Sequence, residues 1–198
     1  MKLSDLLEER EVTLIGKKIY ALTPNNDIVF TAEMSGKPWD GAFNCSGYKL
    51  TTLRGAPSST GHFICSNNKL TSLVGAPSSV SGYFNCSDNQ LMSLTGAPSS
   101  INGYFNCAYN ELTSLHDVHK IIKKMDGWFS AGNNPITSCV LGVLLIEGCK
   151  KLDINGDAIA LEVRDIVNKY LPNACGFQGV LECQNELLDA GFDEYAKL

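Results

Sequence analysis

One interval limits what this chain can fold into: Cys45, Cys65, Cys86 and Cys107 recur every 20 or 21 residues. Each closes the same frame, in Phe43-Asn44-Cys45, Phe63-Ile64-Cys65, Phe84-Asn85-Cys86 and Phe105-Asn106-Cys107. Phe129-Ser130-Ala131 reads as a degenerate copy, so five units are visible. Each unit runs on into an Asn and two Leu, as in Asn68-Lys69-Leu70-Thr71-Ser72-Leu73, with Tyr48 at the Asn position of the first copy. The link Gly-Ala-Pro-Ser-Ser recurs at 55–59, 75–79 and 96–100. A unit of this length holds one short strand, a turn and an extended return, and the Pro keeps helix out of the link. It cannot bury its apolar face alone, so the units must stack. The expected arrangement has Phe and Cys pointing inward into one continuous core. The repeated Asn then bonds backbone groups of the adjacent turn, which would otherwise be stranded inside the coil.

The order Phe-x-Cys-x-x-Asn-x-Leu resembles a leucine-rich repeat, in which Phe and Cys take inward strand positions and Asn the ladder position. A right- or left-handed parallel β-helix stacks small and polar residues in a similar way and stays open as the alternative. The expected fold is an α/β repeat: a short leucine-rich-repeat-like solenoid with a parallel sheet of about five strands. It is flanked by an N-terminal α/β cap at 1–40 and a C-terminal helical lobe at 137–198, leaving 41–136 for the solenoid. In the first cap, Ser4 opens a helix through Glu9, and strand-like runs at 12–22 and 28–32 flank the turn Pro24-Asn25-Asn26-Asp27. These runs could supply a sheet edge for the first repeat. Downstream, Thr137 or Ser138 caps a helix carrying Val140, Leu141, Leu144 and Leu145, with Gly148 at its end. Asp157 opens a second helix with Ile159, Val163, Ile166, Val167 and Tyr170 on its apolar stripe, stopped by Pro172. A third runs over about 177–190, with Gly191 as its C-cap.

Charge excludes some partners. The formal net charge is −5, and Lys and Arg are scattered singly or in pairs such as Lys123-Lys124 and Lys150-Lys151, which argues against a groove that tracks phosphates. The acidic balance lies in residues 150–198, with nine acidic and five basic side chains. The opening Met1-Lys2-Leu3-Ser4-Asp5 lacks an apolar signal core, and the longest apolar run, 140–146, is interrupted by Gly142 and too short for a bilayer. A cytoplasmic location follows as the expectation. The eight cysteines include no close Cys-x-x-Cys pair; in a reducing compartment they act as small buried hydrophobes.

Strand alternation carries the functional reading. If Phe and Cys face inward, the residues beside Phe face out: Ala42, His62, Tyr83, Tyr104 and Trp128. A second outward column holds Asn44, Ile64, Asn85, Asn106 and Ser130, and Tyr109 lies two positions after Cys107. His62, Tyr83, Asn85, Tyr104, Asn106, Tyr109 and Trp128 are therefore the candidate partner-binding residues. Aromatics beside amides, with few charges, have the composition of a protein-binding surface. The competing explanation is that aromatics favour strands and stack on one another with no ligand. From Gly41 to Leu115 the only charged residues are Lys49, Arg54, Lys69, Asp88 and Glu111, fewer than a plain solvated face would carry. His116 and His119 make a poor metal pair without a third ligand. Asp153-Ile154-Asn155-Gly156-Asp157 resembles a calcium loop, but the twelfth position is Arg164 where Glu is required. The serines have no paired base and orienting acid, so neither catalysis nor a cofactor is expected.

The pattern Cys-Ser-x-Asn-x-Leu-Thr-Ser-Leu-x-Gly-Ala-Pro-Ser-Ser, with the ending Leu181-Glu182-Cys183-Gln184-Asn185-Glu186-Leu187-Leu188-Asp189-Ala190-Gly191, resembles leucine-rich-repeat-like proteins of tailed bacteriophages. That resemblance covers residues 41–198. It implies an accessory protein that binds and inhibits a host enzyme or defence protein, in the host cytoplasm. Two further expectations come from other classes: an assembly protein that self-associates through its caps or sheet edge, and a sponge for a small ligand or nucleotide.

Overall fold

Side chains at the Phe and Cys positions set the architecture, because a core column grows only when identical residues fall in register on successive turns. The computed structural model describes residues 35–155, 158–171 and 177–198, together with strand backbone at 13–14, 17–18, 20–22 and 28–30. Near the N-terminus, β1 (Thr13–Leu14) pairs antiparallel with β2 (Lys17–Lys18), and β3 (Tyr20–Leu22) with β4 (Ile28–Phe30). Only Tyr20–Leu22 of the strand run expected at 12–22 pairs with the run expected at 28–32, since Thr13–Leu14 and Lys17–Lys18 pair with each other; the turn at 24–27 and the helix expected from Ser4 lie outside the described residues. Neither pair joins the main sheet among the described residues, so the expected sheet edge is instead β5 (Pro38–Asn44).

The main sheet is parallel. It comprises β5, β6 (Ser59–Ile64), β7 (Ser79–Val80), β8 (Phe84–Asn85), β9 (Ser100–Ile101), β10 (Phe105–Asn106), β11 (Lys124–Ser130) and β12 (Glu147–Asp153). Phe43, Phe63, Phe84, Phe105, Phe129 and Leu152 pair in one unbroken register, giving a solenoid of about six turns. The sixth turn corrects the expectation of five units. A second ladder precedes the first within each turn, through Ser59, Ser79, Ser100, Lys124 and Glu147. The last Ser of each Gly-Ala-Pro-Ser-Ser link is thus already strand, not return loop.

Between the two ladders the chain kinks at a column of glycines. A Cβ on Gly103 would lie 2.8 Å from the carbonyl oxygen of Gly82 in the preceding turn, so no side chain fits. Inside the coil the Phe rings stack with centroids 5.1–5.5 Å apart, and all five are buried. Offset stacking of this kind adds about 0.5–1.5 kcal/mol per pair beyond the area buried. Cys45, Cys65, Cys86 and Cys107 form the adjacent column as free, buried thiols, continued by Ala131 and Ile154.

The Asn ladder does what its spacing predicts. The Asn68 Oδ1 accepts from the Tyr48 and Leu50 N–H groups of the previous turn, and its Nδ2 donates to the Cys45 and Cys65 carbonyls. Asn89, Asn110 and Asn134 repeat the pattern onto Leu70, Leu91 and Leu112. Each amide therefore joins two turns, buried at Asn89 and Asn110 and partly buried at Asn68 and Asn134.

The C-terminal side departs from expectation. The run holding Val140, Leu141, Leu144 and Leu145 is a short 3-10 helix (Leu141–Leu145), and neither Thr137 nor Ser138 caps it. Gly148 does not end a helix. It sits in β12 with φ +77°, where a Cβ would collide with the Met125 carbonyl oxygen. A short helix, α1 (Val118–Ile121), fills the longer fourth interval, between Phe105 and Phe129. The last turn is covered by α2 (Ala158–Tyr170) and α3 (Phe177–Asp189), which bury Val163, Val167, Val180, Cys183 and Leu187. Gly191 caps α3 as expected, with φ +81°: its N–H bonds the Leu188 carbonyl and that of Phe192 bonds Leu187. Residues Asp157 and Pro172, expected at the ends of α2, lie outside the described set. No helix among the described residues is long and apolar enough to cross a membrane.

Candidate functional site

Alternation along β6, β8, β10 and β11 places the residue before each inward Phe on the outer face of the sheet. The His62 and Tyr83 rings stack at 4.3 Å, and those of Tyr83 and Tyr104 at 4.9 Å and nearly parallel. The backbone helps to set this row. The Tyr83 N–H donates to His62 Nδ1 at 3.0 Å, and Gly82, lacking a side chain, leaves the His62 ring the space it occupies. In the second outward column, the Asn85 and Asn106 Oδ1 atoms accept from the N–H groups of Ser87 and Ala108. Their Nδ2 groups have no partner among the described residues.

The row of ring contacts stops at Tyr104. Trp128 is the next member by register, yet its ring makes no stacking contact with Tyr104 among the described residues. Instead the Lys151 ammonium of the following turn lies 4.5 Å from the Trp128 ring centroid. Where a third ring contact would close the row, a cleft of about 530 Å³ opens, lined by Tyr104, Trp128, Asn106, Asp126, Ser130 and Asp153 above the glycines at 103 and 127. Tyr104 and Trp128 are 49% and 57% exposed, so both rings are reachable from solvent. At one side, Lys150 pairs with Asp126 at 2.5 Å and holds that carboxyl below the usual carboxylate range. At another, Asp153 accepts the Ser130 hydroxyl at 3.1 Å and forms no ion pair among the described residues.

Of the candidate residues, Tyr104, Asn106 and Trp128 meet in the cleft, while His62, Tyr83 and Asn85 extend the same face away from it. Tyr109 does not join them. It sits in the turn after the strand with φ +55° and is 56% exposed, because the residue before each ladder Asn adopts the left-handed conformation. Sequence reasoning omitted Asp126, Asp153 and Lys151. The available signal was the interval from Phe105 to Phe129, longer than the others, followed by a strand with Leu152 at the Phe position.

Elsewhere, His116 Nε2 lies 3.4 Å from Asp117 Oδ2, and the buried Nδ1 of His119 has no hydrogen-bond partner. Burial holds the His119 pKa below its ordinary value. No cluster of three or more His, Cys, Asp or Glu side chains among the described residues is placed to hold a metal. Of the stretch 153–157, Asp153 ends β12 and Asn155 Oδ1 accepts the Asn133 N–H, while residues 156 and 157 lie outside the described set. No protein family, curated protein or solved structure matches the chain.

Proposed function

We propose that this protein is a binding module of the leucine-rich-repeat class that captures a protein partner on the outer face of its sheet rather than catalysing a reaction. One observation carries the reading: a half-buried row of rings and amides ends in a cleft between the exposed rings of Tyr104 and Trp128. Aromatic side chains in a largely desolvated patch are the usual anchors of a protein interface. The Asn ladder, one Asn per turn after Phe-x-Cys, supports the repeat class. The resemblance to tailed-phage proteins would make the partner a host enzyme or defence protein and the action inhibitory. The variant carrying Tyr83→Ala, Tyr104→Ala and Trp128→Ala tests this. Proteins of host lysate retained by the wild-type chain should be lost by the variant, whose circular dichroism stays native. Equal retention by both would sink the proposal.

A further inference from the structure

We infer that the cleft between Tyr104 and Trp128 is a slot for an arginine side chain of the partner; this rests on the protein-binding reading above. The rings of His62, Tyr83 and Tyr104 stand face to face along the solenoid axis, and the Tyr104 face toward Trp128 carries no stacked ring among the described residues. A planar group inserted there continues the stack. The polar lining then selects among planar groups. Two carboxylates, Asp126 and Asp153, border the slot, which disfavours phosphate-bearing ligands and favours a donor-rich cation. Asp126 is already paired with Lys150, whereas Asp153 bonds only the Ser130 hydroxyl among the described residues, which leaves its charge for an incoming partner. Trp128 already receives one cation, Lys151, on its ring, an arrangement that indole favours electrostatically. A guanidinium combines plane, charge and several N–H donors, and so stacks on aromatic faces and bonds a carboxylate at once. The Asn106 Nδ2 group remains to donate to a carbonyl of the segment that bears the arginine.

The test uses the purified full chain and three blocked tripeptides, acetyl-Gly-X-Gly-amide, with X as arginine, citrulline or lysine. Citrulline keeps the plane without the charge, and lysine keeps the charge without the plane. The chain has two tryptophans, so the Trp128 indole N–H signal is assigned by its loss in Trp128→Phe. Titration with the arginine peptide should shift that signal and the Gly103 and Gly127 amides, with at least about fivefold tighter binding than either control. Asp153→Asn and Trp128→Ala should each weaken it about tenfold. Equal shifts by all three peptides would overturn the inference, as would silence up to about 50 mM, beyond any millimolar contact. Preferential response to a methyl glycoside or to guanosine monophosphate would overturn it too. Lysate capture separates the two ideas. Ring-dependent capture without an arginine response removes the slot alone, whereas an arginine response without capture removes the protein-partner reading.

Discussion

At the scale of single residues, the columns do two kinds of work. Asn68, Asn89, Asn110 and Asn134 are irreplaceable for geometry, since each amide serves two turns at once. The cysteines contribute apolar volume, and the same burial raises their pKa values. Burial drives the Cys65 and Cys86 thiols well above the ordinary value of 9.0, and neighbouring sulfurs in the column push the same way. Burial also lifts Cys149 to about 11 and Cys183 to about 12. A thiol whose pKa is raised by folding contributes its full stability below 9.0 and loses it as pH climbs toward the folded value, because the unfolded chain releases its proton first. The loss approaches ~1.4 kcal/mol per pH unit for each such thiol. In reducing buffer, the urea midpoint should therefore hold steady between pH 7 and 8 and fall above pH 9. Cys86→Ala should flatten that slope by one thiol's share, even though the lost sulfur lowers the midpoint overall. An unchanged slope in Cys86→Ala would show that the thiol column is not what titrates.

Among the elements, the ends of the sheet decide whether the stack stays finite, because an unpaired edge strand invites another chain. The outer edge of β12 is closed by one side chain on α2. The Leu152 N–H donates to Asn168 Oδ1 at 2.7 Å, and Asn168 Nδ2 donates to the Leu152 carbonyl at 2.8 Å, so an amide stands in for a seventh strand. Removing it leaves both groups unpaired in a partly buried place. Asn168→Ala should cost roughly 1–3 kcal/mol in chemical denaturation and speed amide exchange at Leu152, while exchange at Phe84 is unaffected. Exchange equally fast at both amides would mean that the cap and the central turns open as one unit. This edge was also where the sequence was hardest to read. Phe, Cys, Asn and Leu announce four turns by repetition, and Phe129 a fifth. The sixth replaces Phe by Leu152 and Cys by Ile154, so only the position, not the residue type, persists. The apolar run before it has helical spacing, yet Gly148 must pass close to the Met125 carbonyl, and the chain turns into strand after a single 3-10 segment. The outward aromatic column was legible from alternation alone. The cleft was not, since it depends on Trp128 leaving the ring row for Lys151, which no periodic pattern encodes.

Across the whole molecule, stability should be close to a sum over turns and the interfaces between neighbours, because each turn bonds only those on either side. The junctions make this testable. Tyr83 precedes Phe84 and Tyr104 precedes Phe105, so deleting residues 84–104 rejoins the chain at an identical Tyr-Phe step. Every ladder stays in register: Phe63 meets Phe105, Asn68 meets Asn110, and Tyr83 takes the place of Tyr104 beside Trp128. The shortened chain should fold cooperatively with the same far-ultraviolet signature, a lower urea midpoint and a denaturant slope smaller by roughly a tenth, in line with the area removed. The caps should be indifferent to the change, since α2 and α3 touch the last turns and not the excised one. A deletion of residues 94–104 supplies the contrast. It removes half a turn, sets the downstream Phe column opposite the Leu arm of the turn before, and should abolish cooperative unfolding. If the half-turn deletion folds as well as the full-turn one, the columns are not what hold successive turns together. If neither folds, the excised turn is a nucleus the others depend on, and stability is not additive along the stack.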